Sequence, residues 1–272
     1  MNHMAFFISD GTGITAEALG HSLLSRFSDV HVDQVTLPYV NTELKAKQAF
    51  QRINDGAHKA GKKPIVVVSI VSNELRAIIQ ESQGLVLDMF QAFLDPLEEL
   101  FGRSADERPG SAFGMNQTNY HQRIHAVNFV LENDDGGNIK NYSLADVILV
   151  GLSRSGKTPT CIYLGMHYGL LAANFPLTEE DLEDPVLPKL LQEYRKKLFG
   201  LLIEPKHLAG IREERYANSR YASLEQCEFE TLQFRAILDR YKIPYLDSTR
   251  LSIEELSTHI LEEVGIERRI SG

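Results

Sequence analysis

Short continuous apolar runs alternate along this chain with longer stretches in which apolar residues return every three or four positions. The first pattern belongs to strands covered on both faces, the second to helices laid against them. Ala5-Phe6-Phe7-Ile8 predicts a strand that stops at the polar turn Asp10-Gly11-Thr12-Gly13, and Ala18, Leu19 and Leu23 put helical spacing on Thr15 to Phe27. A strand near Val32 to Leu37, a helix from about Thr42 to Lys59, the strand Pro64 to Ile70 and a helix from Asn73 come next. The apolar run Leu85 to Phe90 and a helix through Leu100 complete a doubly wound α/β domain over residues 1–105.

Gly102 to Asn119 is rich in Gly, Pro, Ser, Asn and charge and has no apolar period, so residues 106–120 are expected to form a linker or mobile loop. Residues 121–272 then predict a second α/β domain. It begins with a helix carrying His121 and His125 and a turn at Asn133-Asp134-Asp135-Gly136-Gly137. Strands follow at Val147 to Val150, Leu170 to Phe175, Leu198 to Ile203 and Ile243 to Asp247, with a last helix from Ser252, where Glu255 stands at capping-box spacing. Thr178 to Pro188, acidic and proline-bearing, is expected to be an exposed loop.

The strand at Val147 breaks into Gly151-Leu152-Ser153-Arg154-Ser155-Gly156-Lys157-Thr158, a full match to the phosphate-binding pattern GxxxxGK[ST]. The chemistry requires this spacing. Glycines let backbone N–H groups turn inward around phosphate oxygens, and the helix that follows adds its positive end. Lys157 can reach a terminal phosphate and the Thr158 hydroxyl can ligate Mg2+. Cys161, Ile162, Leu164 and Tyr168 give that helix its period, and Pro159 lies in its first turn, where a missing N–H costs little. Strand, loop and helix together predict a P-loop kinase-like domain that binds a nucleotide.

Other residues leave two readings open. Asp10, Thr12 and Thr15 either make a tight strand-to-helix turn or place polar groups at the carboxyl end of a strand, where open α/β sheets bind ligands. Arg212, Arg215 and Arg220, interleaved with Glu213 and Glu214, form a solvated charged face or supply cations over a transferring phosphoryl group. Asp247 closes a turn, or is the carboxylate that holds Mg2+ or orients a nucleophile. His121 and His125 have a metal-compatible i, i+4 spacing without a convincing third ligand, so they read as surface or packing residues. The Asn133 to Gly137 turn admits a bound ion as the lesser reading.

Composition narrows the class. With 28 Lys plus Arg against 37 Asp plus Glu the net charge is −9, which argues against a nucleic-acid surface. Two cysteines, Cys161 and Cys227, make no disulfide framework, and Cys161 reads as a small buried residue. No apolar stretch approaches the roughly 20 residues of a membrane span, so a cytoplasmic protein is expected.

The chain resembles the phosphoenolpyruvate synthetase regulatory proteins, relatives of the pyruvate, phosphate dikinase regulators. The likeness rests on Ile8 to Glu17, on Gly151 to Thr160, on Lys197-Leu198-Phe199-Gly200-Leu201, on Arg212-Glu213-Glu214-Arg215 and on Asn218 to Ser223. It implies a bifunctional enzyme. ADP would serve as donor to phosphorylate a threonine of the partner enzyme, phosphoenolpyruvate synthetase, and inorganic phosphate would remove that group as pyrophosphate. The assignment to the phosphoenolpyruvate synthetase branch rests chiefly on Asn218 to Cys227. In that expectation Lys157, Arg212, Arg215, Arg220, Asp247 and Asp10 are the catalytic candidates, Gly151 to Thr158 bind the nucleotide and Thr158 takes the metal. A homodimer is one assembly such a chain could adopt. A P-loop small-molecule kinase and a non-catalytic nucleotide sensor are the rival readings. Turnover on metabolites alone would mark the first, and binding without consumption the second.

Overall fold

A computed structural model describes residues 3–105, 117–267 and 269, with side chains in the second block from residue 120. The chain separates into two compact units, Met1–Gly114 and Met115–Gly272. Each is an α/β unit built on a four-stranded sheet whose strand pairs are all parallel. Most of the expected 106–120 linker lies outside the described residues, and its last residues already belong to a helix.

In the first unit the order is β1 (His3–Ser9), α1 (Ile14–Leu24), β2 (Val32–Leu37), α2 (Glu43–Ala60), β3 (Ile65–Ser69), α3 (Asn73–Gln80), β4 (Leu85–Asp88) and α4 (Met89–Phe101). The sheet runs β2-β1-β3-β4. Alternation along the inner strands sends Phe6, Ile8, Val66 and Val68 against Ala46, Ala49 and Ile53 of α2 and Ile79 of α3. Ala5, Phe7 and Val67 face the other way, onto Ala16 of α1 and Met89 of α4. Helices thus cover both faces, which is why β1 and β3 read as unbroken apolar runs. The apolar run Leu85 to Phe90 is divided: the Asp88 carboxylate accepts from Phe90 N and Gln91 N, at 3.0 and 3.1 Å, and so caps α4 after only four strand residues.

The second unit runs α5 (Gln117–Glu132), short 3-10 turns at Asp134–Gly136 and Ile139–Ser143, β5 (Val147–Gly151), α6 (Lys157–Tyr168), β6 (Ala172–Pro176), α7 (Glu179–Leu182) and α8 (Lys189–Gln192). It continues with β7 (Leu198–Leu202), α9 (Pro205–Arg215), α10 (Leu224–Tyr241), β8 (Tyr245–Asp247) and α11 (Ile253–Val264). Its order, β6-β5-β7-β8, repeats the topology of the first sheet. Leu149, Phe199 and Leu201 pack with Leu164 of α6 and Ile260 of α11, while Ile148, Val150 and Leu202 pack with Phe234, Ile237 and Leu238 of α10. The segment Thr178 to Pro188 departs from the expected exposed loop. It starts with a capping box between Thr178 and Asp181, and Leu182 and Leu187 anchor it in the core. Among the described residues no helix is long and apolar enough to cross a membrane.

Candidate active site around the phosphate loop

The loop Gly151 to Thr158 leaves the carboxyl end of β5, an inner strand buried along its whole length, and enters α6. Two glycines are set by geometry. A Cβ on Gly151 would stand 2.7 Å from Ser155 Oγ and 2.8 Å from Leu201 O, and Gly156, the N-cap of α6, has φ 89°. No side chain caps α6, so its first N–H groups are left for a ligand. Arg154 takes a left-handed φ of 77°, sparsely populated for a residue with a side chain, and is exposed.

Most of the loop's carbonyls are engaged. Gly151 O accepts from Leu177 N at 3.1 Å, Leu152 O from Lys157 Nζ at 2.8 Å, Ser153 O from Arg212 Nη2 at 3.4 Å, and Ser155 O from Ser248 Oγ at 3.0 Å. Gly156 O takes both Thr160 N and Thr160 Oγ1. With these carbonyls engaged and Ser155 N donating to Leu152 O at 3.2 Å, the remaining N–H groups of the loop are the ones that could meet an anion. Ser155 Oγ is buried and has no hydrogen-bond partner among the described residues.

Lys157 is only 4 % exposed, and burial pushes its ammonium pKa down to about 8, against the pull of Asp135 and Asp134. Thr158 Oγ1 donates to Asp134 Oδ1 at 2.8 Å. The same carboxylate accepts from Asn174 Nδ2 of β6, and Asn174 Oδ1 in turn accepts from Asp135 N at 3.0 Å. The carboxylate beside the loop threonine is therefore Asp134, from the turn before β5. The sequence left Asp247 open as a turn residue or as a carboxylate in that role. Asp247 is exposed and its carboxylate takes Thr249 N and Thr249 Oγ1, closing the turn after β8, while the neighbouring Ser248 reaches the loop. Asn174, standing in the middle of an apolar strand, is the sequence signal that could have pointed to Asp134.

The three arginines part company. Arg212 is 1 % exposed: Nη2 pairs with Glu230 Oε2 at 2.7 Å, Nη1 donates to Tyr221 O at 3.0 Å, and the guanidinium lies 4.0 Å from the Tyr221 ring centroid. Tyr221 OH donates to Ser153 Oγ at 2.9 Å. Arg212 and Tyr221 together grip Ser153, so Arg212 is a buried, ion-paired residue and not a solvated surface charge, and its Nε has no hydrogen-bond partner among the described residues. Arg220 is exposed and pairs with Glu179 at 2.6 Å. Arg215, one turn after Arg212 on α9, is exposed with its guanidinium 5.6 Å from the Tyr216 ring centroid. Asp10 belongs to the first unit, at the end of β1.

His121 and His125 are exposed on α5, and among the described residues no three or more His, Cys, Asp or Glu gather as a metal site. Cys161 and Cys227 are free and buried, and burial raises both thiol pKa values, as suits inert core residues.

An inner parallel strand, a glycine-capped loop, a buried lysine and a threonine–carboxylate pair stand together at one end of an α/β sheet. The chain belongs to the kinase/pyrophosphorylase family, whose description matches residues 5–261. It is 50 % identical over 271 residues to a protein of Hahella chejuensis and 51 % identical over 271 residues to one of Stutzerimonas stutzeri, covering 99 % of this chain and 100 % of each relative. A Pseudomonas aeruginosa relative is 49 % identical over 270 residues, covering 99 % of this chain and 98 % of its own. All three carry the name "Putative phosphoenolpyruvate synthase regulatory protein". Phosphotransferase-type chemistry is the activity this family membership supports.

Proposed function

We propose that the chain is a bifunctional serine/threonine protein phosphotransferase that regulates phosphoenolpyruvate synthase. In one direction a threonine Oγ of the partner attacks the β-phosphorus of ADP. The bond from that phosphorus to the α–β bridging oxygen breaks, AMP leaves and the hydroxyl proton is lost. In the other direction an oxygen of inorganic phosphate attacks the phosphothreonine phosphorus, giving pyrophosphate and restoring the threonine hydroxyl.

The observation that carries this reading is the engaged carbonyls of Gly151, Leu152, Ser153, Ser155 and Gly156, which leave the loop's N–H groups other than that of Ser155 to meet phosphate. Lys157, whose ammonium donates to Leu152 O, would turn to the phosphates and offset charge as it moves in the transition state. Residues for Mg2+ are present: Thr158 and Asp134 offer the hard oxygen donors that Mg2+ takes alongside substrate phosphates, and Ser155 Oγ lacks a partner. Bound there, Mg2+ would neutralise phosphate charge. Of the three arginines, Arg215 is the one left to approach the transferring group, with Arg212 and Tyr221 as positioning residues. Family membership and the relatives' names support the partner.

The test is to incubate the purified chain with ADP and phosphoenolpyruvate synthase and to map phosphorylation by mass spectrometry, with Lys157→Met as control. Phosphothreonine formed by the wild type and reduced at least about a hundredfold in the variant is expected. Consumption of nucleotide with metabolites alone and no modified protein would sink the reading.

A further inference from the structure

The first unit repeats, at the same place in its topology, the arrangement that makes the phosphate loop. β1 lies between β2 and β3 as β5 lies between β6 and β7. Each strand turns into a helix whose N-cap is a left-handed glycine, Gly13 at φ 88°, ψ −8° and Gly156 at φ 89°, ψ 8°, and neither helix has a side-chain cap. In the first unit this turn opens onto a cavity of about 640 Å3 at the carboxyl ends of β1 and β3. That is where the strand order reverses, the position at which open α/β sheets take ligands.

The cavity floor is polar and unspent. Ser69, 5 % exposed, lines it and has no hydrogen-bond partner among the described residues. Its register neighbour Ser9 accepts from Gly11 N at 3.1 Å and keeps its hydroxyl proton to give. Thr12 and Thr15 add two more hydroxyls at the mouth. Asp10, 8 % exposed, uses Oδ2 to accept from Val71 N at 2.7 Å, which leaves Oδ1 for a proton-bearing group. Gly11 has an ordinary φ, and a Cβ there would meet only Ser9 Oγ, at 3.8 Å. Neither backbone nor packing calls for a glycine, so the space it leaves belongs to the cavity. The wall is apolar, made by Phe90, Leu94, Leu97 and Phe101.

We infer that this cavity binds a phosphate ester with an apolar body. The hydroxyls of Ser9, Ser69, Thr12 and Thr15 and the open N-terminus of α1 outnumber the two carboxylates on the lining, Asp10 and Glu98, each of which already accepts from a backbone N–H, and Arg103 lines the cavity as well, which suits an anion over a neutral or cationic head. Asp10 Oδ1 accepts from a hydroxyl of the ligand, and the body lies along the α4 wall. The volume falls within the roughly 300–1,000 Å3 of small-molecule sites.

The experiment is calorimetric titration of the full chain carrying Lys157→Met, so that the phosphate loop does not compete, with phenyl phosphate and inorganic phosphate as probes. One equivalent of phenyl phosphate should bind, about tenfold or more tighter than inorganic phosphate because of the apolar wall. Thr12→Glu, at an exposed position that leaves folding alone, should weaken it about tenfold or more by charge repulsion, and Gly11→Val should do so by filling the space. No binding of phenyl phosphate, or binding unchanged by Thr12→Glu, would overturn the site. Equal affinity for the two probes would overturn the apolar half and leave free phosphate as the ligand.

Discussion

Replacing Arg212 by Met removes a buried cation and strands Glu230, whose side chain is 8 % exposed, with only Gln226 Nε2 at 3.0 Å to stabilise it. Breaking a buried pair from one side typically costs about 3–5 kcal/mol. For a unit of this size about 1 kcal/mol moves the midpoint roughly 3 °C, so the second unit's transition should fall by about 9–15 °C. Removing both charges in Arg212→Met/Glu230→Leu should return most of that loss, since a well-packed apolar pair replaces a buried ion pair at little cost. Phosphoryl transfer should not return with it, because Ser153 O has lost its donor and Tyr221 its stacked guanidinium. A residual loss of about tenfold in nucleotide affinity is expected, the equivalent of one hydrogen bond of about 1.4 kcal/mol. Scanning calorimetry and equilibrium nucleotide binding on the two variants make the comparison. If affinity recovers in step with the midpoint, Arg212 serves the core alone and its positioning role is refuted.

Three further outcomes follow from the same geometry. Arg215→Ala should lower transfer about tenfold or more, whereas Arg220→Ala, which breaks only an exposed ion pair, should stay within a few-fold; equal effects in a rate assay would undo the distinction. The Lys157 pKa of about 8 sits below its ordinary 10.5, so the unfolded chain binds more protons between those values and the contribution of Lys157 to stability rises with pH across that window. A bound phosphate favours the charged form, so nucleotide binding at pH 8 should take up roughly half a proton, seen by calorimetry in buffers of different ionisation enthalpy; absence of uptake would contradict it. Asp134→Asn should weaken the Mg2+ dependence of nucleotide binding while Asp247→Asn leaves it alone, and the reverse result would return the metal role to Asp247.

The strands and the loop were legible because their signals are local. Val147 to Gly151 is apolar throughout since both sheet faces are covered, and GxxxxGK[ST] names its glycines by conformation and close approach. What escaped is long-range. Asp134 meets Thr158 across 24 residues and is fixed by Asn174 a further 16 along, a pairing that no period reports. Arg212 follows Leu208 at i, i+4 on the buried face of α9, and Gln226 and Glu230 fall on the buried face of α10. The presence of an acid on the buried face of α10 was the clue that an arginine would be buried against it. Leu182 and Leu187 likewise lay hidden in an acidic stretch whose charges dominate its composition.

The measurement closest to the central proposal follows the β-phosphate. ADP labelled at that position is mixed with the chain and phosphoenolpyruvate synthase, with adenylate kinase excluded, and the products are separated. Label on a threonine of the partner, with AMP in equal amount, is expected, and addition of inorganic phosphate should then release the label as pyrophosphate. Transfer only from the γ-phosphate of ATP would contradict the account and make the loop that of an ordinary kinase.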